Sequence, residues 1–291
     1  MALPGSLLAL SRPRHWVKNA LVLMPVPFAV TSGAHLDLAV FGLGLGGFCL
    51  LNSAVYALND SLDAEADRRH PDKQGRPVAA GRISVGGARL WSLALVAAAL
   101  ALAWSTGRAH VPALFVVYLA ANLVYSMRGR QVPLVDIFLL SSGYVIRVLL
   151  GCALVEARAS NWLLLCTSTL ALFLALAKRR ADLALGLDER HRPSLSGYSA
   201  AFVDQAMIAM LAASLMAYAL YCIEGGVLTR LAPGREFATL PFVVFGGLEY
   251  LRLVHARGAG GSPVDVVLGS PRLLLCGVGW VAAALWSVAL W

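Results

Sequence analysis

Nine apolar segments separated by short polar loops dominate this chain and leave it few structures to adopt. They run near Trp16 to Ser32, Leu38 to Leu58, Ala88 to Ser105, Val111 to Tyr125, Leu134 to Ala153, Trp162 to Ala177, Tyr198 to Ile223, Leu240 to Val254 and Leu273 to Leu290. Only 14% of the 291 residues are charged and the mean hydropathy is +0.72, whereas soluble domains carry about 25% charged residues. The pattern predicts an all-α integral membrane protein with nine spans, a single polytopic domain over residues 1–291. Several segments fall short of the roughly 20 residues an untilted span needs, so some helices are expected to end inside the protein.

The basic residues orient the spans, because Lys and Arg in short loops stay on the cytoplasmic side. Placing the N-terminus and alternate loops on one side collects 19 of the 24 basic residues there. Arg108, Arg158, Arg230 and Arg235 fall opposite, and Arg147 lies within a span. The N-terminus is therefore expected in the cytoplasm.

Beside it, on the same side, Asn59-Asp60-Ser61-Leu62-Asp63-Ala64-Glu65-Ala66-Asp67 closes the second apolar segment with four carboxylates and one amide. Read as a helix, Asp60, Asp63 and Asp67 share one face. Three like charges on one stripe call for compensating positive charge. Hard cations such as magnesium take oxygen ligands and keep sites for water or phosphate, so this sparse set suits a metal-diphosphate. Asn59, Asp60, Asp63 and Asp67 are the candidate metal ligands, and Asp60, Asp63 and Asp67 the candidate catalytic carboxylates. Asn52, Tyr56, Asn59 and Asp63 follow a 4, 3, 4 rhythm that continues the polar stripe upstream as one wall of a cavity. The bland reading is a solvated acidic cap.

Polar residues recur at the other helix ends on this side. Arg12-Pro13-Arg14-His15-Trp16-Val17-Lys18-Asn19 places Lys18 and Asn19 at the entry to the first span; Lys18 either snorkels to headgroups or meets a substrate phosphate. Arg68 to Pro77 contains Lys73 and Arg76 among prolines and glycines that can fold cations back over the carboxylates. Tyr125 to Asp136 carries Arg128 and Arg130, which are either topology signals or substrate ligands. Arg147 lies 11 residues past Asp136, about 16 Å along a helix, where an arginine needs a polar cavity or partner. Gly143 and Gly151 on its face leave room for an anion or a neighbouring helix, and an ion pair is the structural alternative. Lys178-Arg179-Arg180-Ala181-Asp182 ends the sixth segment, and Arg192 to Tyr198 leads into the seventh. Glu249 is spaced to pair with Arg252, while Asp204 is ambiguous.

The net charge of +8 is spread over membrane loops rather than gathered in a nucleic-acid-binding fold, so anionic headgroups and phosphorylated substrates are the expected partners. Cys49, Cys152, Cys166, Cys222 and Cys276 lie in or beside apolar segments without metal-ligand spacing and read as small core residues. No signal-peptide cleavage pattern, Ser-His-Asp or Cys-His arrangement, or glycine-rich phosphate loop appears.

The Asn59, Asp60, Asp63 and Asp67 pattern resembles the first motif of the UbiA-type intramembrane prenyltransferase superfamily, whose fold is a bundle of nine transmembrane helices around a cytoplasm-facing cavity. Arg12-Pro13-x-x-Trp16-x-Lys18-Asn19, His70-Pro71-x-Lys73-x-x-Arg76-Pro77, Tyr125-Ser126 with Pro133 and Asp136, Gly143 to Arg147 and Lys178-Arg179 are similar to the decaprenyl-phosphate phosphoribosyltransferase branch. Arg130 stands where that branch usually has lysine, which keeps charge but alters geometry. The second aspartate motif of aromatic prenyltransferases is degraded to Lys178-Arg179-Arg180-Ala181-Asp182.

The resemblance implies magnesium-dependent transfer of a 5-phosphoribosyl group from phosphoribosyl diphosphate to a polyprenyl phosphate. Asn59 and Asp63, helped by Asp60 or Asp67, would hold the ion. Lys18, Tyr56, Lys73 and Arg76 would meet the donor phosphates; Arg130, Arg147 and Lys178 would bind donor or lipid phosphate; Asn19, Tyr125 and Arg179 join the substrate-binding set. A bias of 21 arginines to 3 lysines points to a GC-rich bacterium and its plasma membrane, where the family's product feeds cell-wall arabinan. No nucleic-acid partner is expected, and a homo-oligomer is compatible with the pattern. A true prenyltransferase should carry a second metal motif and aromatic rings for an allyl cation. An ion or phosphate transporter should show inverted repeats, and none is convincing here.

Overall fold

The apolar segments fold as helices. The computed structural model describes residues 3–26, 36–69, 73–187, 193–223, 232, 234–258 and 260–287. Their α-helices are α1 (Leu3–Ser11), α2 (Leu38–Leu62), α3 (Ala64–Arg69), α4 (Val85–Ser105), α5 (His110–Met127), α6 (Val135–Leu154), α7 (Asn161–Ala184), α8 (Ala200–Cys222), α9 (Leu240–Arg257), α10 (Pro263–Leu268) and α11 (Pro271–Ser287), with 3-10 segments at Pro13–Leu23, Gly129–Gln131 and Pro193–Gly197. His70, Pro71, Asp72, Arg190, Arg192 and Arg230 lie outside the described residues.

Among the described residues, six helices, α2 and α4 to α8, are long and apolar enough to cross a membrane. Among the remaining three expected spans, α9 carries Glu249, Arg252 and Arg257 within 18 residues, and α11 has 17 residues up to Ser287, where the described residues end. The first expected span opens instead as an eleven-residue 3-10 helix, Pro13–Leu23, and passes out of the described residues after Val26. That length is uncommon, since 3-10 runs seldom exceed about four residues. Where the chain begins this segment, Arg12 takes a left-handed conformation at φ 47° and ψ 57°.

The helical stripe expected through the acidic motif is broken. α2 ends at Leu62, Asp63 sits at φ −94° and ψ 5°, and α3 restarts at Ala64. Hydrogen bonds bridge the break, from the Asp63 N–H to the Asn59 carbonyl at 2.9 Å and from the Asp67 N–H to the Asp63 carbonyl at 2.8 Å. The kink keeps Asp60 and Asp67 buried while Asp63 is half-exposed.

Oxygen side chains start several of these helices by accepting otherwise orphaned N–H groups. Asp37 accepts from Ala39 and Val40, Ser84 from Gly87, and Ser199 from Phe202.

The chain divides into two compact units, residues 1–126 with 146–158, and residues 127–145 with 159–291. In the first, Phe48, Leu51 and Val55 of α2 pack with Ala99 and Ala103 of α4, Phe115 and Tyr118 of α5, and Leu150 and Leu154 of α6. Ser92 on α4 donates to the Ala54 carbonyl of α2 at 2.8 Å. α1 is pinned to α2 by Ser53, whose hydroxyl donates to the Ser11 carbonyl at 2.8 Å and accepts from the Trp16 indole at 3.0 Å. In the second unit, Phe173 and Leu176 of α7, Val203 and Met207 of α8, and Tyr250 and Leu253 of α9 form the core. Glu249 and Arg252 pair through two contacts of 2.7 Å, as their spacing implied. Leu90, Leu93 and Trp104 in the first unit and Leu275 and Val278 in the second are exposed side chains that suit a bilayer rather than water.

Glycine permits one close approach that fixes the first unit. A Cβ on Gly151 would lie 2.2 Å from the Val22 carbonyl oxygen, whereas one on Gly42 would meet nothing within 4 Å. Gly151→Ala should therefore destabilise the protein by about 1–3 kcal/mol through overpacking against backbone. Gly42→Ala should cost nothing or stabilise by up to about 1 kcal/mol through helix propensity. Thermal melts in detergent check this contrast, and equal melting temperatures for the two variants would refute it.

Candidate functional site

α2 carries its last polar residues into the interior of the first unit. Asp60 is 2% exposed and Asp67 4%. A buried carboxylate is costly unless paired and hydrogen-bonded, and two arginines from distant segments supply the pairing. Arg12 donates to Asp60 Oδ1. Arg76 bridges both carboxylates, with Nη1 2.7 Å from Asp67 Oδ2 and 3.4 Å from Asp60 Oδ1. The turn-rich segment after α3 does fold a cation back over the acidic motif, as its composition implied. Asp60 Oδ2 is buried with no hydrogen-bond partner among the described residues.

The residues around this cluster are also tied down. The Arg12 guanidinium lies 5.1 Å from the Tyr56 ring centroid, and Tyr56 Oη is 3.2 Å from His15 Nδ1. Asn59 Oδ1 accepts from the Ser126 hydroxyl at 2.7 Å. Lys18 and Lys73 are half-buried. Among the described residues, no three His, Cys, Asp or Glu side chains converge to hold a metal ion. The donor chemistry nevertheless fits a hard cation, since Asp60 Oδ2 is a carboxylate oxygen with no hydrogen-bond partner among the described residues.

Arg147 is 6% exposed and anchors a second polar cluster in the same unit. Its Nε donates to Asn19 Oδ1 at 3.0 Å and its Nη2 to Asn52 Oδ1 at 2.7 Å. Asn52 Oδ1 also accepts from the Tyr118 hydroxyl at 3.0 Å. The guanidinium carbon lies 5.3 Å from the ring centroids of both Phe48 and Tyr118, a cation–π arrangement. The room expected at Gly151 is filled by the Val22 carbonyl and Pro25. Asn52, expected on a cavity wall, is 3% exposed and belongs to this cluster.

In the second unit Arg130 and Lys178 are half-buried, as is Tyr125 in the first. Arg179, expected among substrate ligands, is 0% exposed and lies against acidic neighbours. Its Nη1 donates to Asp182 at 2.6 Å, and its Nε lies 2.9 Å from Asp136 Oδ2 without aiming its hydrogen there. Asp136 also accepts from the Tyr198 hydroxyl at 2.6 Å and the Ser194 hydroxyl at 2.9 Å. Asp204 gains a role as well, with Arg180 Nε at 2.7 Å and His255 Nε2 at 3.1 Å. Ser194, Tyr198 and the pairing of Arg12 with Asp60 escape sequence reasoning, because each bridges 48 or more residues and leaves no periodic signal.

Residues 20–257 match the model of the UbiA prenyltransferase family. The chain is 32% identical over 284 residues to a decaprenyl-phosphate phosphoribosyltransferase of Corynebacterium glutamicum, covering 95% of this chain and 85% of that one. It is 33% identical over 288 residues to the protein of the same name from Mycobacterium tuberculosis, covering 96% and 92%. Its fold is similar to a UbiA homolog from Archaeoglobus fulgidus solved bound to GPP and Mg2+, with a TM-score of 0.72 at 19% identity over 96% of this chain and 98% of that one. A family match across most of the length, with relatives above 30% identity over nearly the whole chain, settles the lineage: the chain belongs to the UbiA prenyltransferase family.

Proposed function

We propose that this protein is a magnesium-dependent pentosyltransferase that moves a 5-phosphoribosyl group from 5-phosphoribosyl 1-diphosphate to a polyprenyl phosphate, decaprenyl phosphate by the likeness to its relatives. The observation that carries the reading is the cluster of Asp60, Asp67, Arg12 and Arg76, which gathers carboxylate oxygens and guanidinium groups at one helix end. The near full-length relatives named for this transfer support it.

In this reading Asn59, Asp60, Asp63 and Asp67 hold magnesium, which supplies charge stabilisation for the departing diphosphate. Lys18, Tyr56, Lys73 and Arg76 meet the donor phosphates, with Tyr125 and Asn19 beside them. Arg76 gives up part of its hold on Asp60 and Asp67 to do so. A lipid phosphate oxygen attacks the anomeric carbon, the carbon–oxygen bond to diphosphate breaks, and the leaving group takes the electron pair. Since the acceptor phosphate is already ionised, no general base is required. Arg130 and Lys178 are assigned to donor or lipid phosphate, whereas Arg147 serves the donor pocket by holding Asn19 and Asn52. Arg179 has a positioning rather than a binding role.

We place the chain in a bacterial plasma membrane as a single polytopic domain of nine spans, with the N-terminus and reaction cavity cytoplasmic, supplying cell-wall arabinan precursors. The six long apolar helices and the lopsided distribution of basic residues support that placement.

Purified protein in detergent with magnesium, radiolabelled phosphoribosyl diphosphate and a polyprenyl phosphate should yield lipid-linked ribose phosphate. No such product, with turnover of a prenyl diphosphate instead, would make the protein a prenyltransferase. Asp63→Asn should lower transfer by about 100-fold or more, on the scale of losing one transition-state contact, while melting within a few degrees of wild type. Full activity in that variant would refute the metal assignment.

A further inference from the structure

The buried cluster centred on Asp136 ties together four segments of the second unit, two of which carry phosphate-binding candidates. Asp136 lies in the first turn of α6 and is 0% exposed, as are Arg179 near the end of α7 and Ser194 in the 3-10 segment before α8. Asp136 Oδ1 accepts from the Tyr198 hydroxyl at 2.6 Å, and Oδ2 accepts from Ser194 at 2.9 Å. The Tyr198 oxygen in turn accepts from the Leu134 backbone N–H at 2.6 Å. Burial first, and the bond to Asp136 second, push the Tyr198 phenol above its ordinary pKa, so it stays protonated and keeps donating.

The arrangement is costly. Leu134 is held at φ 66°, a left-handed conformation that a non-glycine residue adopts only when its surroundings impose it. Arg179 is buried with its Nη2 lacking a hydrogen-bond partner among the described residues. A buried ion pair is a weak source of net stability, because apolar residues of the same volume do as well or better. What the cluster does supply is fixed geometry. Arg130 lies four residues before the strained Leu134 in a loop closed by the Tyr198 bond, and Lys178 directly precedes Arg179. Pro133 also packs so closely on Gly197 that a Cβ there would lie 2.3 Å from its ring. One carboxylate thus sets the position of two separate cation-bearing segments.

We infer that Asp136, acting with Tyr198 and Arg179, is a positioning centre that holds Arg130 and Lys178 in place for phosphate binding. This rests on the phosphoribosyl-transfer reading above. None of the three touches substrate.

The test is steady-state kinetics of Tyr198→Phe in the full-length protein, which removes both hydroxyl bonds and keeps the ring. The KM for phosphoribosyl diphosphate or for the polyprenyl phosphate should rise about tenfold, matching the loss of one good polar contact, with kcat within about threefold and melting within a few degrees of wild type. A purely structural role would instead lower kcat with the folded fraction and leave both KM values unchanged, and that result overturns the inference. If Tyr198→Phe does not fold, Ser194→Ala decides: a KM raised about threefold supports positioning, and unchanged KM values reject it. Wild-type protein that turns over no phosphoribosyl diphosphate would refute the underlying reading, and the inference with it; wild-type turnover with unaltered variant KM values would refute the inference alone.

Discussion

A buried carboxylate at the C-terminal end of a long apolar helix must be compensated, and at Asp60 the compensation organises the first unit. The acid is 2% exposed and takes its counter-charges from Arg12, 48 residues earlier, and Arg76, 16 residues later. Holding Arg12 draws the 3-10 segment with Lys18 and Asn19 against α2. Holding Arg76 closes the turn-rich segment over α3. A large penalty for an unpaired buried charge thereby becomes a strong constraint on two otherwise irregular stretches of chain. The same constraint sets two guanidinium groups against the acidic motif, so the proposed metal-diphosphate would meet both carboxylate oxygens and cations.

Two further polar centres follow the same logic with different chemistry. Arg147 is satisfied by amide oxygens and aromatic faces, and it joins α6 to α2, α5 and the 3-10 segment. Asp136 accepts from two hydroxyls and has the charge of Arg179 beside it, and it joins the start of α6 to α7 and to the approach to α8. Around all three the packing is ordinary apolar contact, which tolerates substitution more readily than a buried charge does. The functional reading depends on these centres because they are what hold the candidate ligands still.

Much of this was legible in the sequence, because hydropathy and local spacing report what lies within one helix. The long apolar helices, the pairing of Glu249 with Arg252 and the return of Arg76 to the acidic motif follow from composition and short-range spacing. The break at Asp63 was not legible: an unbroken stripe and a one-residue kink have the same periodicity. Nor was the burial of Arg179, since Lys178, Arg179 and Arg180 look alike in a basic run and only the fold shows which one faces Asp136. The 3-10 conformation of Pro13–Leu23 was hidden for a related reason, as its apolar residues fit an α-helical span equally well.

Calorimetric titration of inorganic pyrophosphate tests, without any turnover, whether the Asp60 cluster receives a metal-bound diphosphate. For wild-type protein, magnesium should tighten pyrophosphate binding by about tenfold or more, the scale on which a ligand-shell change alters metal affinity. In Asp60→Asn, Arg12 loses its carboxylate partner while Arg76 keeps Asp67, so pyrophosphate should still bind while the magnesium dependence disappears. An unchanged magnesium dependence in Asp60→Asn would contradict the account.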